Sequence, residues 1–99
     1  MMTLIGRDLV DKLAKKHTDV AGDLQAWFHE AKNATWTSTQ DIVTQYPNAR
    51  VISKNKILFN IKGNHYRLLI SINFSSSIIV IEKIATHAEY DKWARITRE

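Results

Sequence analysis

The side chains best able to do chemistry cluster in the middle of the chain. Asn60, Lys62, Asn64, His65 and Arg67 fall within eight residues, and Lys54 and Lys56 precede them. Gly63-Asn64 between two apolar runs is a hairpin signal, and glycine first in a two-residue loop suits a type II′ turn. Such a loop sets Lys62 opposite His65, Ile61 opposite Tyr66, Asn60 opposite Arg67, and so on to Lys56 opposite Ser71. Opposed residues share a face and faces alternate. One face is then Ile57, Phe59, Ile61, Tyr66, Leu68, Ile70, Ile72 and Phe74, a wall for a core. The other is Lys56, Asn60, Lys62, His65, Arg67, Ser71 and Asn73, interrupted by Leu58 and Leu69. Lysine and arginine on such a face can hold phosphates while asparagine and histidine reach other atoms. The plainer reading is a solvated basic surface.

More familiar chemistries find little support. His29-Glu30 opens like a zincin motif, but Asn33 stands where the second histidine belongs. His87-Ala88-Glu89 resembles the first half of a zinc-deaminase signature, and the chain has no cysteine to complete it. Lys62-Gly63-Asn64 is not a P-loop, and no nucleophile elbow marks a serine triad. His17 and His29 read as helix-surface or helix-end residues. His65, beside the turn, is either a surface residue or a contact to nucleic acid. His87 follows a strand, opens a helix and adjoins a capping threonine.

The elements that must position these residues divide the chain in two. Leu9, Val10, Leu13 and Ala14 form an apolar stripe in a helix over 7–17. Thr18 or Asp19 can cap a second helix whose face is Leu24, Trp27, Phe28 and Ala31. Trp27 and Trp93 read as core. Trp36, in a polar connector, is a candidate stacking platform for bases. Ser38 with Asp41 is a possible capping box for a short helix holding Ile42, Val43 and Tyr46, ended by Pro47. Nine of the twelve isoleucines then fall between Val51 and Ile84, as strands favour. Strands are expected over 50–53, 56–62, 65–74 and 78–85. Thr86 with Glu89 is a capping box for a last helix anchored by Tyr90, Trp93 and Ala94.

Ninety-nine residues allow one small domain, 1–99, with a single modest core. The lack of cysteine excludes disulfides, thiolate zinc sites and a cysteine nucleophile, and suits a reducing cytoplasm. Early charges leave no signal-peptide core, and no apolar run approaches the ~20 residues of a membrane span. The net charge of +4 is uneven. Residues 1–49 hold five bases and six acids, whereas residues 50–99 hold nine bases and four acids. A basic second half suggests a polyanionic partner, most often nucleic acid.

Two stretches carry a resemblance: Phe59-Asn60-Ile61-Lys62-Gly63-Asn64-His65-Tyr66-Arg67-Leu68, and Thr86-His87-Ala88-Glu89-Tyr90-Asp91-Lys92. With Ala26-Trp27-Phe28-His29-Glu30-Ala31-Lys32, Trp36 and Asp41-Ile42, the sequence closely resembles the HigB family of type II toxin–antitoxin systems over nearly its whole length. The resemblance implies an α+β, RelE/ParE-like toxin fold, with N-terminal helices on a small antiparallel sheet and a short C-terminal helix. It implies a cytoplasmic mRNA interferase, an endoribonuclease that cuts messages on the translating ribosome without metal or cofactor and so inhibits translation. The expected partners are mRNA, the ribosome and a helix-turn-helix antitoxin, through which the complex can bind its own operator DNA. In that setting Arg67 is assigned to the phosphate, His87 to proton transfer, Asn60 to orienting the phosphate or a base, and Tyr90 to assisting or stacking. Lys54, Lys56, Lys62, Asn64 and His65 would hold RNA. Glu89 is the cap partner and Asp91 a helix-surface residue. The alternatives are a ParE-like toxin acting on gyrase, from the same fold, and a non-catalytic module binding RNA or the ribosome.

Overall fold

A computed structural model describes residues 1–62, 65–90 and 92. The chain runs β1 (Thr3–Ile5), α1 (Arg7–Lys16), a 3₁₀ turn (Thr18–Val20), α2 (Ala21–Lys32), α3 (Thr39–Gln45), β2 (Arg50–Ser53), β3 (Lys56–Ile61), β4 (Tyr66–Asn73) and β5 (Ile78–Thr86). Residues 87–90 begin a further helix. The strands form one sheet in the order β1-β5-β4-β3-β2. The first three helices and the four longer strands expected from apolar spacing are present, within a residue or two of their expected ends, while Trp93 and Ala94 of the expected last helix lie outside the described residues.

The sheet departs from the antiparallel expectation at one edge, where β1 pairs parallel to β5, with Thr3 beside Ile78 and Ile5 beside Val80. Three residues are too few for a period-2 pattern to register, so this strand leaves no trace in the sequence. Gly6 makes the strand-to-helix corner possible. Its φ is +101°, and a Cβ there would sit 2.9 Å from the Ile81 carbonyl oxygen.

The helices cover one face of the sheet, and the core lies between the two layers. Ile57, Phe59, Ile61, Tyr66, Leu68, Ile70 and Ile72 are buried there, as the hairpin alternation requires, and Phe74 packs at the margin. Phe59 is the hub. Trp27 and Tyr46 meet it edge-on, with ring centroids 5.3 and 5.2 Å away, and Trp36 stacks on it at 6.4 Å. Trp36 is therefore no platform for bases. It is 5% exposed, and its indole N–H donates to Gln45 Oε1 at 3.0 Å. A polar connector hid a buried ring whose one polar atom is satisfied locally.

Two expected caps are built differently. The Ser38 side chain caps nothing; the Asp41 carboxylate instead accepts from the Thr37 backbone N–H and hydroxyl, both at 2.9 Å. Those bonds, the backbone one first, hold the Asp41 carboxyl below its ordinary range. Neither Thr18 nor Asp19 caps α2, because the 3₁₀ turn intervenes and the residue before the helix is Val20. The Thr86–Glu89 box forms as expected: Thr86 N–H donates to Glu89 Oε1 at 3.1 Å, and Glu89 N–H donates to Thr86 Oγ1 at 3.2 Å.

Strand β5 contains a bulge that decides which side chains face the core. Leu69 lies opposite Lys83 and Ile70 opposite Ile81, so Glu82 is an extra residue. Were Glu82 paired opposite Leu69 in regular alternation instead, Lys83 would turn inward and Ile84 outward. With the bulge, Ile84 packs on the core, while Lys83 and Ala85 share the outer face with Leu69 and Arg67. Among the described residues, no helix is long and apolar enough to cross a membrane.

Candidate active site

The outer face of the sheet carries the first group of predicted residues. The hairpin register is the expected one, from Lys56 opposite Ser71 to Ile61 opposite Tyr66, and it sets Asn60 directly across from Arg67. Strand β4 is the middle strand, so Arg67 is flanked by Asn60 on β3 and by the small Ala85 on β5. The Arg67 guanidinium carbon lies 5.3 Å from the centroid of the Tyr90 ring, a cation–π distance. Asn60 Nδ2 donates to the Asn48 carbonyl at 3.1 Å. Asn60 Oδ1 and Arg67 Nε are both enclosed and without a hydrogen-bond partner among the described residues. Leu58 and Leu69 do interrupt this face, but they are not open to water, being 1% and 8% exposed.

A second group gathers at the end of the hairpin, around a cavity of ≈ 470 Å³ lined by Asp19, Lys62, His65, Tyr66, Thr86, His87 and Ala88. Its frame is an extension of the β4–β5 ladder. Tyr66 pairs with Thr86, and beyond them the His87 N–H donates to the His65 carbonyl at 2.8 Å. The capping box then turns the chain into helix, so His87 and Tyr90 leave one helical turn in fixed relation. Glu89 is held below its ordinary carboxylate value, first by the Thr86 N–H, with the charges of Lys16 and His17 acting the same way.

Lys62 does not join the outer face. It is already in the turn, with φ +54°, and the His65 N–H closes that turn on the Lys62 carbonyl at 3.3 Å. Strand alternation therefore no longer governs its side chain. The ammonium instead reaches Asp19, bonding the carboxylate and the backbone carbonyl, each at 3.2 Å. The Tyr66 hydroxyl donates to the same carboxylate, at 3.1 and 3.2 Å to its two oxygens. The bond from Lys62 leads in lowering the Asp19 carboxyl, while desolvation leads in raising the Tyr66 phenol. Asp19 and the tip of Tyr66 are the cavity residues that sequence reasoning missed. Tyr66 was legible only as part of the core wall, and nothing in the sequence links Asp19 to a lysine 43 residues later.

The remaining predicted contacts are not brought to either group. Lys56 lies four residues along β3 from Asn60, or about 13 Å, and Lys54 lies farther still in the β2–β3 turn. Lys56 is paired with Glu82 at 3.4 Å. Asn64, with Gly63, lies outside the described residues, as do Asp91, Trp93 and Ala94. No group of three His, Cys, Asp or Glu side chains among the described residues could hold a metal ion.

A helical layer on a small sheet, with an arginine on the middle strand and a histidine at the strand-to-helix junction, defines the class. The chain belongs to the HigB toxin family, described as the RelE-like toxic component of a toxin–antitoxin system, whose model matches residues 20–93. It is similar to a particular curated protein, "mRNA interferase HigB" of Escherichia coli O6:H1 (strain CFT073). Identity is 28% over 100 residues, covering 99% of this chain and 97% of the relative.

Proposed function

We propose that this toxin is an mRNA interferase that cleaves messages on the translating ribosome by attack of the RNA's own 2′-hydroxyl. Family membership and the relative's named activity support the endoribonuclease reading. The observation that carries the site is the convergence of Arg67, Asn60 and Tyr90 on one face, beside the turn that presents His87.

The reaction asks little of the protein because RNA supplies the nucleophile. The 2′-oxygen attacks phosphorus, its proton passes to a base, and the bond to the 5′-oxygen breaks as that oxygen gains a proton. The products are a 2′,3′-cyclic phosphate and a 5′-hydroxyl. His87 transfers a proton, since an imidazole ring can both accept and donate one through its nitrogens. Arg67 meets the phosphate with a planar fork that stays charged and stabilises the extra negative charge of the transition state. Ala85, opposite Arg67, is two residues before His87, so the two functional groups stem from backbone roughly 7 Å apart along the strand. Tyr90 stacks on a base or assists the transfer. Lys62 and His65 line the cavity through which the strand would run. The toxin's partner is an antitoxin, and we infer that it carries a helix-turn-helix domain through which the complex binds operator DNA.

The test is to express the chain without antitoxin and map new RNA 5′ ends, with translation running and with initiation blocked. Cuts confined to translated messages are expected. Growth arrest with no new 5′ ends, or arrest with double-strand DNA breaks, would overturn the reading.

A further inference from the structure

On the outer face two directly paired residues each hold an enclosed polar atom, one a donor and one an acceptor, with no partner among the described residues. Asn60 is held in one orientation because its Nδ2 donates to the Asn48 carbonyl, which turns Oδ1 away from that bond. Oδ1 can only accept, and Arg67 Nε–H can only donate. The two residues are direct cross-strand partners on one face, yet neither atom bonds to the other or to any other described group. Unpaired polar atoms withdrawn from water are costly, and a structure that keeps one on each of two directly paired residues calls for a missing group. A phosphate oxygen would satisfy Nε–H and repel Oδ1. A base amino group would satisfy Oδ1 and leave Nε–H unpaired. A hydroxyl does both, because its hydrogen donates while its oxygen accepts.

Resting on the interferase reading, we propose that Asn60 Oδ1 and Arg67 Nε form the seat of the ribose 2′-hydroxyl at the cut site, the terminal nitrogens of Arg67 remaining on the adjacent phosphate. Asn60 is then the residue that orients the nucleophile. It takes no proton, since an amide oxygen is far too weak a base, so the hydroxyl's one hydrogen leaves Oδ1 and turns to His87 as the proton is removed. The seat also makes the site specific for RNA, because a deoxyribose would leave both atoms unpaired. In the free protein both atoms are covered, so substrate enters as the side chains over them shift. Tyr90, whose ring centroid lies 5.3 Å from the Arg67 guanidinium carbon, is one such neighbour.

The experiment measures binding rather than cutting. Ribosomes are stalled on a message bearing one mapped cut site, with ribose, 2′-fluororibose or 2′-deoxyribose at the nucleotide before the cut. The His87→Ala protein is titrated onto each, so that the ribose message stays intact. The ribose complex should be tighter than either of the others by about tenfold or more, the size of a hydrogen bond to a charged donor. Fluorine accepts weakly and cannot donate, so 2′-fluoro should fall with 2′-deoxy. Adding Asn60→Ala should shrink the gap to less than about twofold. Should that variant not fold, Arg67→Lys, which keeps the charge and loses Nε–H, takes its place. Equal affinities for all three riboses, or an undiminished gap in the double variant, would overturn the proposal and mean that the pair holds only ordered water. If the 5′-end mapping shows cuts, that result leaves the interferase reading standing; absence of cuts there defeats the reading itself.

Discussion

At the scale of single residues, charge and hydrogen bonding divide the basic side chains into those set up for a ligand and those already engaged. Arg67 keeps Nε unpaired next to a small neighbour, whereas Lys56 is matched by Glu82 and Lys62 by Asp19. Arg67→Ala should lower the cleavage rate by about 10²–10³-fold and His87→Ala by about 10²–10⁴-fold, with growth arrest lost and far-UV circular dichroism unchanged. Rates on a translated reporter message check this; full toxicity in both variants would remove these residues from the chemistry. Asp19 has a pH consequence. Its carboxyl titrates below its ordinary 3.8 in the folded state, because the charged form gains Lys62 and Tyr66. A depressed carboxyl stabilises the fold above the unfolded value, and that contribution disappears as pH falls through the folded value. Asp19→Asn should therefore lower stability at pH 7 and show a shallower loss below pH 4, as read from denaturant midpoints. A parallel shift at every pH would contradict it.

At the scale of elements, the site depends on phase. The hairpin brings Asn60 to Arg67 through register alone, and the bulge at Glu82 brings Ala85 to the same row. Deleting Glu82 should remove the bulge without rephasing β5, because Ile81, Lys83 and Ile84 then follow one another opposite Ile70, Leu69 and Leu68. The deletion and Glu82→Ala should therefore both keep cooperative thermal unfolding, and its loss in the deletion alone would mean that the extra residue is needed for more than phase. The hairpin pairing was legible because a two-residue spacing and one face of large apolar residues admit a single register. The bulge was not, because Ile-Ile-Val-Ile-Glu-Lys-Ile offers apolar residues in either phase, and only the partner strand chooses. Lys62 was misplaced for a related reason: the alternation rule stops where the chain turns.

At the scale of the whole molecule, one aromatic hub joins layers built from distant segments. Phe59 sits on β3, with Trp27 from α2, Trp36 from the connector and Tyr46 from the end of α3 around it. The Tyr46 hydroxyl in turn bonds Glu30 on α2, and desolvation with that bond pushes the phenol upward. Phe59→Ala should cost about 3–5 kcal/mol, seen in chemical unfolding, and should weaken activity only through the fraction folded. Loss of activity without loss of stability would mean the hub shapes the site directly. The functional residues are divided by the same architecture. Arg67, Asn60 and Tyr90 lie on the face opposite the helices. His65, His87 and Lys62 lie at the sheet's end, against the 3₁₀ turn.

By itself the sequence determined the two halves, the four longer strands, the core wall, the pairing of Asn60 with Arg67 and the cap that starts the helix at His87. Each of these follows from contacts between residues close in the chain, or from a periodicity that local patterns express. It also determined the family, through two motifs that the fold then brings together. Only the tertiary structure decided that β1 joins the sheet in parallel, that Glu82 rephases β5 and that Trp36 is buried. It alone decided that Lys62 turns to Asp19 and that Asn60 Oδ1 and Arg67 Nε are enclosed with no partner among the described residues. Those outcomes depend on partners tens of residues away, whose approach is set by packing, and no local pattern records them.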